Sequence, residues 1–217
     1  MKLRKYILLI CLLFIAMQNF ATHIVGGEIY YNDLGSNRYY VVLKQYLDCC
    51  PTCTKQDPVA AIGVFDAQGK VVLVQQFPLL NITAVPPTLY AKCFTIPSNI
   101  CVNEIIYADT LYLPPIPGGY TLSYQRCCRN SDIINVTDAY AVGSTYQAFI
   151  NPAITNSTIR YNNVPPLLLC VGVPFVFDNS AMDPDRDSIF YELCSPFEGA
   201  DRVYPLPDTP SVPPYNF

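Results

Sequence analysis

The chain has 217 residues, of which 51% are hydrophobic and 14% charged, with 13 Lys and Arg against 17 Asp and Glu for a formal net charge of -4. A disordered chain would be poor in apolar residues and rich in charge, so this composition indicates a folded chain of one or two domains. There is no basic surplus to neutralise a phosphate backbone, which argues against a nucleic-acid partner. The 20 prolines and 17 tyrosines suit short aromatic and β-branched strands cut by proline turns.

Lys2, Arg4 and Lys5 open the chain with positive charge, and Tyr6 to Met17 is an apolar run too short to span a bilayer as a helix. Asn19-Phe20-Ala21 then ends on a small residue. This tripartite pattern predicts a secretory signal peptide over residues 1–21, cleaved after Ala21. No later segment is long and apolar enough to cross a membrane. The mature protein is therefore expected to be secreted, in the extracellular space or on the outer cell surface. Cys11 falls in the leader, and the nine cysteines that remain are expected to form structural disulfides, with one left over.

Ile24-Val25-Gly26-Gly27 matches the activated N-terminus of chymotrypsin-like proteases. Those enzymes need a His base and a Ser nucleophile, and the only histidine is His23, beside the match itself. Tyr39 to Tyr46 reads as a strand. Cys50-Pro51-Thr52-Cys53 has C-x-x-C spacing. It lacks the βαβ surroundings of a redox site and the second C-x-x-C of a zinc site, and reads as part of a disulfide cluster. Ala60 to Phe65 and Lys70 to Phe77 are predicted strands joined at Asp66-Ala67-Gln68-Gly69, with glycine where a left-handed backbone is needed. Cys93 and Cys101 bracket a short loop containing a proline. Glu104 to Leu113, Tyr120 to Cys128 and Thr145 to Ile150 are further strands, and Pro114 to Gly119 must turn between the first two. Strands at this spacing predict an all-β, antiparallel β-sandwich over residues 22–158.

A second unit is expected over residues 159–217, with short strands at Leu167 to Cys170, Pro174 to Phe177 and Ser188 to Leu193. Three strands do not close a sandwich, so this unit is expected to be incomplete and the chain a piece of a longer protein. Cys170 and Cys194 bracket its acidic loop. The simplest pairings are local, Cys93 with Cys101 and Cys170 with Cys194, each adding roughly 2–4 kcal/mol. Cys49 and Cys127 are taken as further disulfide cysteines, and the connectivity of Cys49, Cys50, Cys53, Cys127 and Cys128 stays open. Asp183, Asp185 and Asp187, followed by Ser188, can converge on a hard cation, and calcium is the expected ion. The EF-hand pattern does not apply, because Ser188 stands where it needs Gly and Cys194 where it needs Glu.

No base and nucleophile can be assigned, so the chain is read as a non-enzyme. The leading function is an extracellular module for adhesion or spacing, contacting a polysaccharide or protein ligand. The alternative is a carbohydrate-binding module attached to a secreted enzyme, with tyrosines stacking on sugar rings.

Four segments carry a family resemblance. They are Thr22-His23-Ile24-Val25-Gly26-Gly27-Glu28-Ile29-Tyr30-Tyr31, Leu113-Pro114-Pro115-Ile116-Pro117-Gly118-Gly119-Tyr120, Tyr124-Gln125-Arg126-Cys127-Cys128-Arg129-Asn130 and Asp183-Pro184-Asp185-Arg186-Asp187-Ser188. On these the chain resembles the N-terminal region of large secreted, gliding-motility-associated surface proteins of Bacteroidota that carry a C-terminal type IX secretion signal. The resemblance implies an immunoglobulin-like sandwich followed by the start of a second immunoglobulin-like or polycystic-kidney-disease-like β-domain. Two departures stand out: the family usually has Gly where this chain has Arg186, and Cys50 and Cys53 are additions to its pattern.

Overall fold

The computed structural model describes residues 24–49, 56–87, 95, 100–130 and 133–211. The expected signal peptide, His23, Cys50, Cys53 and Cys93 lie outside the described residues. Among the described residues nine strands form: β1 Ile24–Asp33, β2 Arg38–Asp48, β3 Val59–Phe65, β4 Val71–Val85, β5 Val102–Tyr112, β6 Tyr120–Arg126, β7 Ser144–Ile150, β8 Arg160–Tyr161 and β9 Ala181–Met182. The first seven make one antiparallel sheet in the order β1-β2-β5-β4-β3-β6-β7. Its two ends, β1 and β7, come into contact, so the sheet curls into a nearly closed, sandwich-like barrel.

The curl depends on β4. Its first part, as far as Pro78, pairs with β3, and from Leu79 to Val85 it pairs with β5. The register shifts between Leu79 and Asn81. Pro78 lacks an N–H to lend to a ladder, and a bulge bends the strand that carries it. One long strand thus serves both layers. Between the layers, Tyr39, Val41, Leu43 and Leu47 of β2 meet Ala60, Ile62 and Val64 of β3 and Tyr120, Leu122 and Tyr124 of β6 in one buried cluster. The period of two in β2 explains the selection: its odd-numbered residues enter the core, while Tyr40, Lys44 and Tyr46 stay half-buried on the outer face.

The predicted strands from Tyr39 to Ile150 all appear, most with small changes at their ends, while the one expected over Lys70 to Phe77 runs on to Val85. The Asp66–Gly69 turn forms as expected, with Gly69 at φ 76° and Asp66 Oδ1 accepting from the amides of Gln68 and Lys70. β1 was not expected, because Gly26 and Gly27 weaken a strand reading. Gly27 is needed there: a Cβ on it would lie 2.6 Å from the Lys44 carbonyl oxygen and 3.0 Å from the Tyr146 ring.

The three strands expected in residues 167–193 do not form. Their apolar side chains find no half-buried pleated surface, and strand propensity without a partner ladder does not make a strand. Leu169, Val176, Phe190 and Leu193 remain exposed. Chain beyond β7 instead lies along the main sheet. Thr158 exchanges backbone and side-chain hydrogen bonds with Tyr31 on the free edge of β1. The amide of Thr145 on β7 donates to the Phe197 carbonyl. Ser211 bonds both Ser123 and Gln125 on β6, and Leu206 packs on the core. Both sheet edges are in this way covered by irregular chain.

The disulfides correct the local pairing scheme. Cys101 is bonded to Cys49, not to Cys93, with Cα atoms 5.4 Å apart. β2 and β5 pair in register through Asp48 and Val102, so the next residue out on each strand faces its partner. Strand register, not nearness in sequence, makes that bond. Cys127 is bonded to its neighbour Cys128 and therefore not to Cys49. Cys170 is oxidised while Cys194 is a free, exposed thiol, so these two are not a pair. The strands expected to hold them side by side are the ones that do not form.

Candidate functional site

The end of the barrel where β1 starts, β2 ends and β5 starts carries a concave pocket of about 540 Å³. That is within the range of small-ligand sites, roughly 300–1,000 Å³. Gly26, Tyr46, Asp48 and Val102 come from the paired strands, Asn130 from the chain after β6, and Val164 to Leu167 form a wall. The Cys49–Cys101 bond closes one side, since Cys101 lines the cavity.

Tyr46 is among the residues that line the pocket. Its cross-strand neighbour on β1 is Gly26, and the space where a Gly26 side chain would stand is open. On the other side it faces Glu104 of β5, and its hydroxyl donates to Glu104 Oε2 at 3.2 Å. Burial, and then the Glu104 carboxylate, raise the Tyr46 phenol well above its usual range, so it stays a neutral donor. Glu104 in turn lies 3.9 Å from Lys44 Nζ, which pairs with Glu28 at 3.0 Å. Further along the same face, Arg160 stacks on the Tyr30 ring at 3.8 Å.

A second polar centre is buried beneath the Tyr124-to-Asn130 segment. Arg126 Nε and Nη2 donate to the two carboxylate oxygens of Asp57 at 2.8 and 3.3 Å. Its Nη1 donates to the carbonyls of Cys127 and Pro205 at 2.9 and 3.0 Å. The Cys127 amide also donates to Pro205, and the Ile24 amide to Cys128. The guanidinium joins three separate stretches of chain, a structural role.

The acidic loop lies toward the other end of β1. Asp183 Oδ1 accepts the Asp185 amide, and Asp185 Oδ2 accepts the Ser157 amide. Ser157 in turn receives the Asp33 amide on its hydroxyl. Arg186 sits at φ 67°, the left-handed conformation that favours glycine. Among the described residues no three His, Cys, Asp or Glu side chains converge as a metal-binding group. Of the calcium candidates Asp183, Asp185, Asp187 and Ser188, two carboxylates, those of Asp183 and Asp185, accept backbone amides in this arrangement.

Sequence reasoning named none of the pocket residues as a site. The signal was present only in part: Tyr46 belongs to a predicted strand, but its open flank depends on Gly26 pairing opposite it. No family model, curated protein or solved structure matches the chain. Among the described residues no helix is long and apolar enough to cross a membrane.

Proposed function

We propose that the chain is a non-catalytic extracellular recognition module, serving adhesion on the cell surface, of the gliding-motility-associated secreted proteins that it resembles. The observation that carries this reading is the pocket around Tyr46, built on paired strand ends and closed by a disulfide. A rigid, pre-formed concavity loses little entropy when it binds.

The finer fold reading is immunoglobulin-like. In its support, the order β1-β2-β5-β4 followed by β3-β6-β7 parallels the ABED and CFG strand orders of that sandwich. Tyr120, at the start of the sixth strand, donates from its hydroxyl to the Pro114 carbonyl at 2.7 Å, as the tyrosine corner of such domains does. In the same reading residues 159–217 open a second immunoglobulin-like or polycystic-kidney-disease-like domain, whose sheet would cover Leu169, Val176, Phe190 and Leu193, while Phe197 to Ser211 return to the main sheet. Calcium at Asp183, Asp185, Asp187 and Ser188 belongs to this proposal too. Binding requires Asp185 to exchange the Ser157 amide for the ion, and a melting series in millimolar calcium against chelator checks it.

The test of function is saturable binding of the mature chain, Thr22 to Phe217, to immobilised polysaccharides and extracellular-matrix proteins. Saturable retention on either class supports the module. Release of soluble fragments from those polymers would overturn the non-catalytic part of the reading.

A further inference from the structure

We infer that the pocket over Tyr46 is a carbohydrate subsite, taking a neutral pyranose with its apolar face on the Tyr46 ring. The inference rests on the recognition reading above and names its ligand class.

Three features of the cavity select a sugar. First, a pyranose presents a flat face of C–H groups ringed by hydroxyls, and an aromatic ring with one open side is the surface that matches it. Tyr46 pairs across the strands with Gly26, which brings no side chain to that flank, and a Cβ placed at Gly26 would meet nothing within 4 Å. Second, the polar groups in the lining are few and of the right kind. Asp48 brings carboxylate oxygens, a chemistry that accepts from hydroxyls, and Asn130 an amide, a chemistry that donates and accepts, in a surround of Val25, Ile100, Val102 and Leu167. Third, charge selects a neutral sugar. The protein carries a formal net charge of -4 and Asp48 lines the cavity, so an acidic sugar is repelled. A proline-rich peptide is the competing occupant, but such grooves are lined by several aromatic rings, and among the described residues Tyr46 is the one aromatic side chain in this lining.

The ring is also held in place. Its hydroxyl is fixed on Glu104, its strand is paired on both sides, and Cys49–Cys101 ties the strand ends beneath it. This fixed geometry is what weak sugar stacking needs to add up to measurable affinity.

The experiment is titration calorimetry of the mature chain with cello-, xylo-, malto- and chito-oligosaccharides, alongside the immobilised matrix proteins used for the recognition test. Binding of at least one oligosaccharide is expected, reduced about tenfold in Tyr46→Ala and in Gly26→Val, and largely kept in Tyr46→Phe. Gly26→Val leaves the aromatic ring in place and blocks only its open side, and unchanged melting curves establish that both variants fold. If Gly26→Val misfolds, the contrast between Tyr46→Ala and Tyr46→Phe decides. Oligosaccharide binding that survives Tyr46→Ala overturns the subsite. Saturable binding to a matrix protein with no oligosaccharide binding overturns the sugar assignment and leaves the recognition module standing. No binding to either class overturns both.

Discussion

Arg126 is 6% exposed and satisfies its guanidinium on Asp57 and two carbonyls, while Tyr124 nearby is fully buried with no partner for its hydroxyl. Opposite outcomes follow from removing a polar group at each site. Asp57→Ala leaves a buried cation unpaired and is expected to cost about 3–5 kcal/mol in chemical denaturation. Tyr124→Phe removes a hydroxyl that gains nothing in the fold, and is expected to be neutral or stabilising by up to about 1 kcal/mol. The strained backbone at Arg186 provides a third residue-level test. Arg186→Gly relieves the left-handed strain of about 1–2 kcal/mol per residue, less the greater freedom of glycine in the unfolded chain. A net gain of about 0.5–1 kcal/mol is expected, read from the urea midpoint at unchanged slope.

At the scale of elements, the Cys49–Cys101 bond fastens the ends of β2 and β5 across a sequence separation of 52 residues. A loop of that length confines the unfolded chain by roughly 4 kcal/mol. Replacing both cysteines by serine is expected to lower stability by about that amount, or by less where the unfolded state keeps structure. The same variant is expected to weaken ligand retention in the pocket, because Cys101 forms part of its lining. Guanidinium denaturation and binding by one preparation check both effects. Most strands were legible from alternation and from turn residues such as Asp66 to Gly69 and Pro114 to Gly119. The pairing was not legible: the local scheme chose Cys93 for Cys101, whereas the register of β2 with β5 chose Cys49.

For the whole molecule, the interior is rich in phenols. Tyr31, Tyr39, Tyr107, Tyr120, Tyr124 and Tyr146 all have pKa values raised, in each case chiefly by burial, and Tyr146 is pushed up to about 12. Burial favours the neutral phenol, so the folded state holds its protons to higher pH than the unfolded state. The resulting stability is fully present below the unfolded value of ~10 and is lost as pH rises through the folded values. Alkaline titration is expected to show a steep rise in tyrosinate absorbance above about pH 10–12, coincident with loss of the β-sheet circular dichroism signal. Smooth ionisation of every tyrosine near pH 10, with the dichroism unchanged, would contradict the buried placement of these rings.

The sequence by itself determined the all-β class, the strands from Tyr39 to Ile150 and the turns between them. These features are local, set by side-chain period, by β-branched and aromatic content, and by Gly and Pro where the backbone must reverse. Tertiary structure alone decided the strand order, the passage of β4 from one layer to the other, the partner of Cys101 and the absence of the strands expected in residues 167–193. It also decided the pocket, because Tyr46 is an ordinary outward-facing strand residue until Gly26 stands opposite it. Each of these depends on which distant segments share a register, and register is a property of two strands together, absent from either one read alone.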